Sequence, residues 1–335
     1  MKQSAALLPA SLLLNSARQL LNAHQPALAQ QLITPLSTAK DLQEKDLIST
    51  SILYSEALQQ NGRTPEAMLY LKNLTQTASI NVKLTSQIQL AEIQRRSGLW
   101  NDALASLKSI QLPKESVRIQ AEIEFQKARL YQLLGQYREA EQAYQLAVQN
   151  SRSAGDIDLL HQINNSLATY FTTIGNYEAA EKLCEELLAD KSLDEAFRVT
   201  VFQNLATIYQ QTLRFDQAQT LLEQVVREDA KRLGENDPDY ALSLQNLATV
   251  YQRRGESQKA ADLYAKALAI DVKSSGKESL AYATKAANLG VVQMELGLMD
   301  KALLNLQTAL TIRERILGKE HPDYVFNEYN IAVLY

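Results

Sequence analysis

The sequence predicts an all-α protein, an α-solenoid of about eight antiparallel helix pairs. Small residues recur at intervals of 36 to 42 positions along almost the whole chain of 335 residues, and a period of this size is typical of stacked supersecondary units. Eight alanines mark the period: Ala29, Ala67, Ala103, Ala140, Ala180, Ala218, Ala260 and Ala302. A second small residue lies twelve positions before each of them: Ala17, Ser55, Ala91, Ala128, Ala168, Ala206, Ala248 and Gly290. A glycine lies five positions before six of them: Gly62, Gly98, Gly135, Gly175, Gly255 and Gly297.

One repeat, in its clearest copy at residues 240–270, consists of two helices. Apolar residues in its first part recur at i, i+3, i+4 and i+7, the pattern of one helix face: Leu244, Leu247, Ala248 and Tyr251. Gly255 ends this helix because glycine accepts the left-handed conformation that follows a last turn. A second periodic run follows around Ala260 after a turn of about four residues, and so short a connection makes the two helices direct neighbours.

The small residues have a packing role within each pair. Ala248 and Ala260 are expected where the two backbones come closest, so a larger side chain at either position would cost about 1–3 kcal/mol. Tyr251 and Tyr264 are expected to fill the wider gaps toward the next repeat. Stability then comes from stacking between neighbours rather than from one central core.

This pattern resembles the tetratricopeptide repeat (TPR). The residues that carry the resemblance in this copy are Ala248, Tyr251, Gly255, Ala260, Tyr264 and Ala267. An aromatic residue follows the turn position by two in four other copies, at Trp100, Tyr137, Tyr177 and Phe215. His24 and Leu213 depart from the pattern because they replace the turn glycine. The resemblance implies a right-handed superhelix whose first helices line a concave groove.

The resemblance extends over the chain as a single TPR array at residues 1–335. Residues 10–194 hold five irregular repeats, and residues 195–323 hold three repeats of 42 residues. The 42-residue repeats are similar to those of kinesin light chains. Residues 324–335 are interpreted as the start of a truncated ninth repeat.

The linkers of the 42-residue repeats share their helix signals. Gly234, Gly276 and Gly318 are expected to stop the second helices. Pro238 and Pro322 suit the first turn of the helix that follows, where no amide donor is needed.

The two ends of the chain suggest further expectations. Tyr335 is in register with Tyr251, so the sequence stops inside a first helix, and we expect the natural polypeptide to continue. Lys2 and the apolar stretch 5–14 resemble a signal peptide, but Pro9 interrupts that stretch. The first helix of the first repeat is the favoured interpretation, and a cleaved signal peptide is the alternative.

Composition argues against several classes of protein. The net charge of −4 and the pI near 5.6 indicate no basic surface for nucleic acid. No uncharged apolar run approaches the roughly 18 residues that span a bilayer. The single cysteine, Cys184, cannot form an internal disulfide. We therefore expect a cytoplasmic protein with neither a nucleic acid nor a membrane as partner.

The sequence lacks motifs for catalysis or for metal binding. His24, His161 and His321 do not have the spacing of a metal site, and Cys184 has no partner thiolate. The sequence has no phosphate-binding glycine loop and no nucleophile elbow. The prediction is that the chain is not an enzyme and uses no cofactor.

A row of asparagines marks the candidate peptide-binding site. Asn204, Asn246, Asn288 and Asn330 follow one another every 42 residues on predicted groove positions. An asparagine both donates and accepts, so such a row can pair with an extended peptide backbone, as the kinesin-light-chain resemblance also implies. The other candidates on the same stripe are Thr207, Gln211, Thr249 and Arg253. The alternative is that each asparagine satisfies a neighbouring helix or water.

Charges on the predicted groove cancel. Four arginines and four glutamates occupy its positions: Arg18, Arg96, Arg129 and Arg253, with Glu56, Glu92, Glu122 and Glu295. A groove without net charge argues against nucleic acid and against a strongly acidic ligand. It also lacks the lysine pairs of the carboxylate-clamp repeats that hold chaperone C-termini.

Three functions fit these observations. The leading prediction is a non-catalytic protein-interaction scaffold that binds a peptide or partner segment in the concave groove. The alternative is the N-terminal sensor or regulatory arm of a larger bacterial effector, such as a TPR array fused to a CHAT-type protease, a kinase or a nucleotide switch. Its catalytic domain would lie beyond Tyr335. The third is self-association through an uncapped C-terminal end.

Overall fold

The computed structural model describes residues 9–334 except residues 24, 40, 78, 113–115, 275 and 320. All regular structure in this part of the chain is α-helical, which confirms the predicted all-α fold. Its helices are α1 (Ala10–Asn22), α2 (Pro26–Ser37), α3 (Glu44–Gln60), α4 (Thr64–Thr77), α5 (Ile80–Arg96), α6 (Trp100–Lys108), α7 (Val117–Leu133), α8 (Tyr137–Ala154), α9 (Ile157–Thr173), α10 (Tyr177–Ala189), α11 (Glu195–Gln211), α12 (Phe215–Arg232), α13 (Pro238–Arg253), α14 (Ser257–Ser274), α15 (Leu280–Glu295), α16 (Met299–Leu317) and α17 (Pro322–Ala332). His24 and Tyr335, which the sequence singled out, lie outside the described residues.

By order along the chain, α1 to α16 form eight helix pairs, and α17 takes the register of another first helix. The contacts divide the chain into an N-terminal half, residues 1–166, and a C-terminal half, residues 167–335. Consecutive helices pack together from α1 to α8 in the first half and from α10 to α17 in the second. The single superhelical array and its division into five irregular and three 42-residue repeats stay predictions.

The small-residue ladder lies in the core, as predicted. All eight alanines of the first set, from Ala29 to Ala302, are 0% exposed. Gly290 shows how close the helices come, because a Cβ added there would lie 2.8 Å from Leu306 Cγ and 3.2 Å from the carbonyl oxygen of Ala302. The second helix therefore leaves no room for a side chain at this position.

The first helix of the first repeat is present. α1 begins at Ala10 and buries Leu13, Leu14 and Ala17 in a cluster shared with α2 and α3. From residue 10 onward, the stretch that resembles a signal peptide thus contributes to the core. Residues 1–8 lie outside the described part of the chain.

The turns inside the pairs share one hydrogen-bond pattern. After α13, Gly255 has a φ of +78°, and its N–H donates to the carbonyl oxygen of Gln252 at 2.9 Å. After α11, Leu213 has a φ of +60°, and its N–H donates to the carbonyl oxygen of Gln210 at 3.3 Å. Leu213 therefore holds a left-handed conformation that its Cβ disfavours.

Leu213→Gly is expected to raise the free energy of unfolding by about 0.5–1 kcal/mol. Relief of the left-handed conformation is worth about 1–2 kcal/mol, and the extra entropy that glycine loses on folding offsets about 0.5–1 kcal/mol of it. Little packing is lost because the side chain is 73% exposed. Denaturant unfolding followed by circular dichroism measures the change. Leu213→Ala is the control, since it keeps the Cβ, and a glycine variant no more stable than it would contradict the assigned backbone.

The predicted linker signals are confirmed. The glycines follow the second helices and the prolines open the first ones, at Gly234, Gly276, Gly318, Pro238 and Pro322. His321 has a structural role in the last linker, where its Nδ1 accepts a hydrogen bond from the backbone N–H of Asp323 at 3.2 Å. This histidine therefore caps α17.

Buried polar residues form a second 42-residue register between neighbouring C-terminal repeats. They occur as pairs fourteen residues apart: Asp229 with Ser243, Asp271 with Lys285, and Arg313 with Asn327. Ser243 Oγ donates to Asp229 Oδ2 at 2.6 Å. Lys285 Nζ lies 2.8 Å from Asp271 Oδ2. The third pair donates to backbone carbonyls instead. Each junction thus carries a different buried polar contact.

The two predicted gap-filling tyrosines behave differently. Tyr264 is buried in a cluster with Leu289 and Val292 of the next repeat, as predicted. The hydroxyl of Tyr251 reaches the preceding repeat, where it donates to Glu223 Oε1 at 2.9 Å. This corrects the expectation, and the reason is that a phenol packed at a junction needs a hydrogen-bond acceptor.

Candidate peptide-binding groove

Six of the eight predicted site residues line one cavity in the C-terminal half. They are Asn204, Thr207, Gln211, Asn246, Thr249 and Arg253. The cavity has a volume of about 380 Å³ and is formed by α11 and α13 with Leu222 of α12. Residues three, four and seven apart share one helix face, and the 42-residue repeat gives α13 the same face as α11.

Amide side chains with free hydrogen-bonding capacity line this cavity. Among the described residues, the side chains of Gln210, Gln211 and Asn246 make no hydrogen bond. Each amide offers one carbonyl acceptor and two N–H donors. Arg253, the last residue of α13, is exposed and forms no ion pair within the described part of the chain. The cavity therefore presents neutral amides and one positive charge.

The two cavity threonines are held by their surroundings. Thr207 Oγ1 donates to the carbonyl oxygen of Gln203 at 3.0 Å, and Thr249 Oγ1 donates to that of Gln245 at 3.1 Å. Thr249 Oγ1 also lies 2.9 Å from the hydroxyl of Tyr264. Tyr264 is buried, and burial raises the pKa of its phenol. This hydrogen bond joins the cavity wall to the core beneath it.

Asn288 and Asn330 do not line the cavity. Asn288 of α15 makes no side-chain hydrogen bond within the described residues. Asn330 of α17 is half-buried, and its Nδ2 has no partner in the described part of the chain. The structure thus brings together Asn204 and Asn246 and leaves the other two asparagines apart from them.

Three cavity residues were missed by the sequence interpretation. Gln203 and Gln210 each precede a predicted residue by one position. They are seven residues apart, which places them on one helix face, and this spacing was the available signal. Leu222 comes from a second helix, where an apolar residue is indistinguishable from core.

The predicted groove charges of the N-terminal half are unevenly paired. Glu92 accepts hydrogen bonds from Arg95, Arg96 and Arg129. Burial raises the pKa of Glu92, but the three guanidinium groups outweigh burial and hold the pKa below its ordinary value. Glu122 has no hydrogen bond or ion pair among the described residues. The charges therefore cancel as a sum but not group by group.

Cys184 is a core residue. Its side chain is 0% exposed, and burial raises the pKa of its thiol to about 12. A thiol that stays protonated is a poor nucleophile. Within the described residues, no three histidine, cysteine, aspartate or glutamate side chains lie where they could share a metal ion. None of the described helices has the length and apolar character of a membrane span.

The paired helices, the buried small residues and the open groove define an all-helical repeat protein. Two family models described as tetratricopeptide repeat match residues 197–271 and 283–323. A third, described as the SusR N-terminal TPR domain, matches residues 66–231. The chain belongs to the tetratricopeptide repeat family, which confirms the resemblance found in the sequence. Such an array supports a role as a protein-interaction scaffold.

Solved structures are similar to the chain over different lengths. The putative kinesin light chain TPR-like repeats of Podosopora anserina match with 28% identity and a TM-score of 0.46, over 52% of this chain and 84% of that one. Rap protein complexed with Competence and Sporulation Factor matches with 12% identity and a TM-score of 0.58, over 97% of both chains. The STAND protein PH0952 of Pyrococcus horikoshii, which has a tetratricopeptide repeat sensor, matches with 15% identity and a TM-score of 0.64, over 92% of this chain and 49% of that one. The last two likenesses show the fold alone. No curated protein matches the chain.

The surface of α17 is apolar in places. Its exposed large residues, together with one residue just after it, are Val325, Phe326, Tyr329 and Val333. Self-association through this end of the described structure stays a prediction.

Proposed function

We propose that the chain captures an extended segment of a partner protein in the cavity between α11 and α13. The observation that carries this proposal is the set of amides without internal partners, chiefly Gln211 and Asn246 on the two first helices. An extended peptide has one N–H donor and one C=O acceptor per residue. Side-chain amides pair with both, so the cavity suits a peptide backbone and needs no cofactor.

Arg253 gives this cavity a preference among partner segments. Its guanidinium is free of internal ion pairs in the described part of the chain. Guanidinium groups bind carboxylates through two parallel hydrogen bonds. We infer that the captured segment carries a single acidic side chain or a terminal carboxylate beside Arg253.

Asn246→Ala is expected to weaken binding by about three- to tenfold, the worth of one net hydrogen bond. The probe is a peptide selected with the intact chain from a library of random peptides. Its affinity for the native chain and for the variant is measured by isothermal titration calorimetry. Asn246 is half-buried on the cavity wall, so its truncation leaves the helix packing in place.

Asn288→Ala is the matched control for this experiment. It removes the same group from the same register, but outside the cavity. A local cavity predicts unchanged affinity for this variant, whereas a continuous asparagine row predicts an equal loss. Unchanged affinity of Asn246→Ala would overturn the proposal altogether.

A second candidate function is that of a sensor arm in a larger effector. The observation that favours it is the likeness to the STAND protein whose tetratricopeptide repeats are a sensor. The same cavity would then receive the signal. The test is the coding sequence that surrounds this chain, since a catalytic or nucleotide-binding domain in the same polypeptide supports the sensor and its absence supports the free scaffold.

A further inference from the structure

A second cavity lies in the N-terminal half, where three first helices begin. It has a volume of about 490 Å³ and is lined by the first turns of α3, α5 and α7. Three isoleucines, Ile48, Ile88 and Ile119, give it apolar walls. Its size falls in the range of about 300–1,000 Å³ typical of ligand sites.

Glu122 is the half-buried acidic group of this cavity. Its carboxyl makes no hydrogen bond or ion pair with any described residue. Burial raises its pKa, the charge of Arg118 opposes this, and the charge of Asp156 adds to it. A half-buried carboxyl without a donor is unfavourable when ionised, so a ligand that brings a positive charge would stabilise it.

The other charged groups around Glu122 do not supply that charge. Arg118, one turn earlier on α7, directs its guanidinium to Asp156, with Nε 2.7 Å from Oδ2. Glu44 accepts a hydrogen bond from Ser79. Lys45 is exposed. Glu122 is the sixth residue of α7, beyond the first turn in which the helix dipole acts strongly.

We propose that this cavity binds a basic side chain, lysine or arginine, of a partner polypeptide. The aliphatic stem would lie against Ile48, Ile88 and Ile119, and the cationic head would meet the Glu122 carboxylate. Lysine and arginine side chains combine such a stem with a charged tip. The inference goes beyond the proposed backbone capture, because it uses another half of the chain and selects a side chain.

The test uses the intact chain labelled with ¹³C at the isoleucine methyl groups. The probes are short capped peptides that are identical except for one central residue: lysine, arginine, methionine or glutamate. We expect the lysine and arginine peptides to shift the methyl signals of Ile48, Ile88 and Ile119, and the methionine and glutamate peptides not to. Equal shifts with methionine, or no shift with either basic peptide, would overturn the proposal.

Three variants test the role of the carboxylate. Glu122→Gln keeps the shape and should weaken binding of the lysine peptide about tenfold or more, as expected for a lost charge-assisted bond. Glu139→Gln, on the exposed surface of α8, should change nothing. Arg118→Gln should tighten binding, because it removes a competing positive charge. An unchanged affinity of Glu122→Gln would overturn the proposal and leave the outcome at Asn246 unaffected.

The pH dependence gives an independent readout. Binding of the lysine peptide requires the ionised carboxylate, whose pKa lies above its ordinary value. Affinity should therefore rise as the pH rises through that pKa, and Glu122→Gln should abolish the rise. The same pH dependence in Glu122→Gln would assign it to Glu44, Lys45 or Asp156 and contradict the proposal.

Discussion

Lys285→Met is expected to lower the free energy of unfolding of the C-terminal half by about 3–5 kcal/mol, the usual effect of breaking a buried ion pair. The side chains of Lys285 and Asp271 are only 5% and 1% exposed. Neither carboxylate oxygen of Asp271 has a well-aligned hydrogen bond, so the pair depends on the attraction of the two charges. Without Lys285, the negative charge of Asp271 would be buried alone between α14 and α15.

Urea unfolding followed by circular dichroism measures this effect, and two further variants interpret it. The double variant Asp271→Leu/Lys285→Met should recover most of the loss, because an apolar pair of similar volume often matches a buried ion pair. Lys319→Met breaks an exposed pair with Glu314, whose side chains are 65% and 46% exposed. It should cost less than about 1 kcal/mol. A loss of that small size in Lys285→Met would contradict the burial of the pair.

The chain itself contains the apolar version of this junction. Leu187 and Val201 stand 42 residues before Asp229 and Ser243, in the same register, and both are buried in one cluster. The register therefore accepts either an apolar or a polar pair. Because each junction has its own pair, exchange of one repeat for another would leave a charge or a hydroxyl unmatched, and we infer that the pairs fix the order of the repeats.

The helix pairs could be predicted from the sequence because small residues are needed wherever two helices cross closely. This requirement repeats at Ala248, Ala260 and their equivalents, and it does not depend on distant parts of the chain. The turn at Leu213 was recognisable for the same reason. Its register predicts the turn even though the residue is not glycine.

The buried charges and the exact lining of the cavities could not be predicted in this way. Asp229 and Asp271 look like residues of a solvated helix face, and their burial depends on the residue fourteen positions later in the next repeat. Glu122 was counted with the groove charges as a sum. Only the structure shows that Arg118 turns to Asp156 and leaves Glu122 without a partner.

Tyr264→Ala is the second large effect, with an expected loss of about 3–5 kcal/mol in the free energy of unfolding, as for other buried aromatic residues. The side chain is 1% exposed and packs with Ala248, Ala260 and Leu289. The register suggests a milder change, because leucine stands 42 residues away on both sides, at Leu222 and Leu306. Tyr264→Leu should therefore lose clearly less than Tyr264→Ala in the same urea titration, and an equal loss would contradict the packing argument.

Tyr264→Phe separates the core role of this residue from its effect on the groove. It keeps the ring and removes only the hydroxyl that lies 2.9 Å from Thr249 Oγ1, so it should cost about 1 kcal/mol. Thr249 then keeps its bond to the carbonyl oxygen of Gln245 but can turn within the cavity. If the core positions the groove through this bond, the affinity of the selected peptide falls in Tyr264→Phe although the fold is retained. If affinity is unchanged while stability falls as expected, Thr249 is positioned by its own helix, and the cavity depends on the repeat register alone.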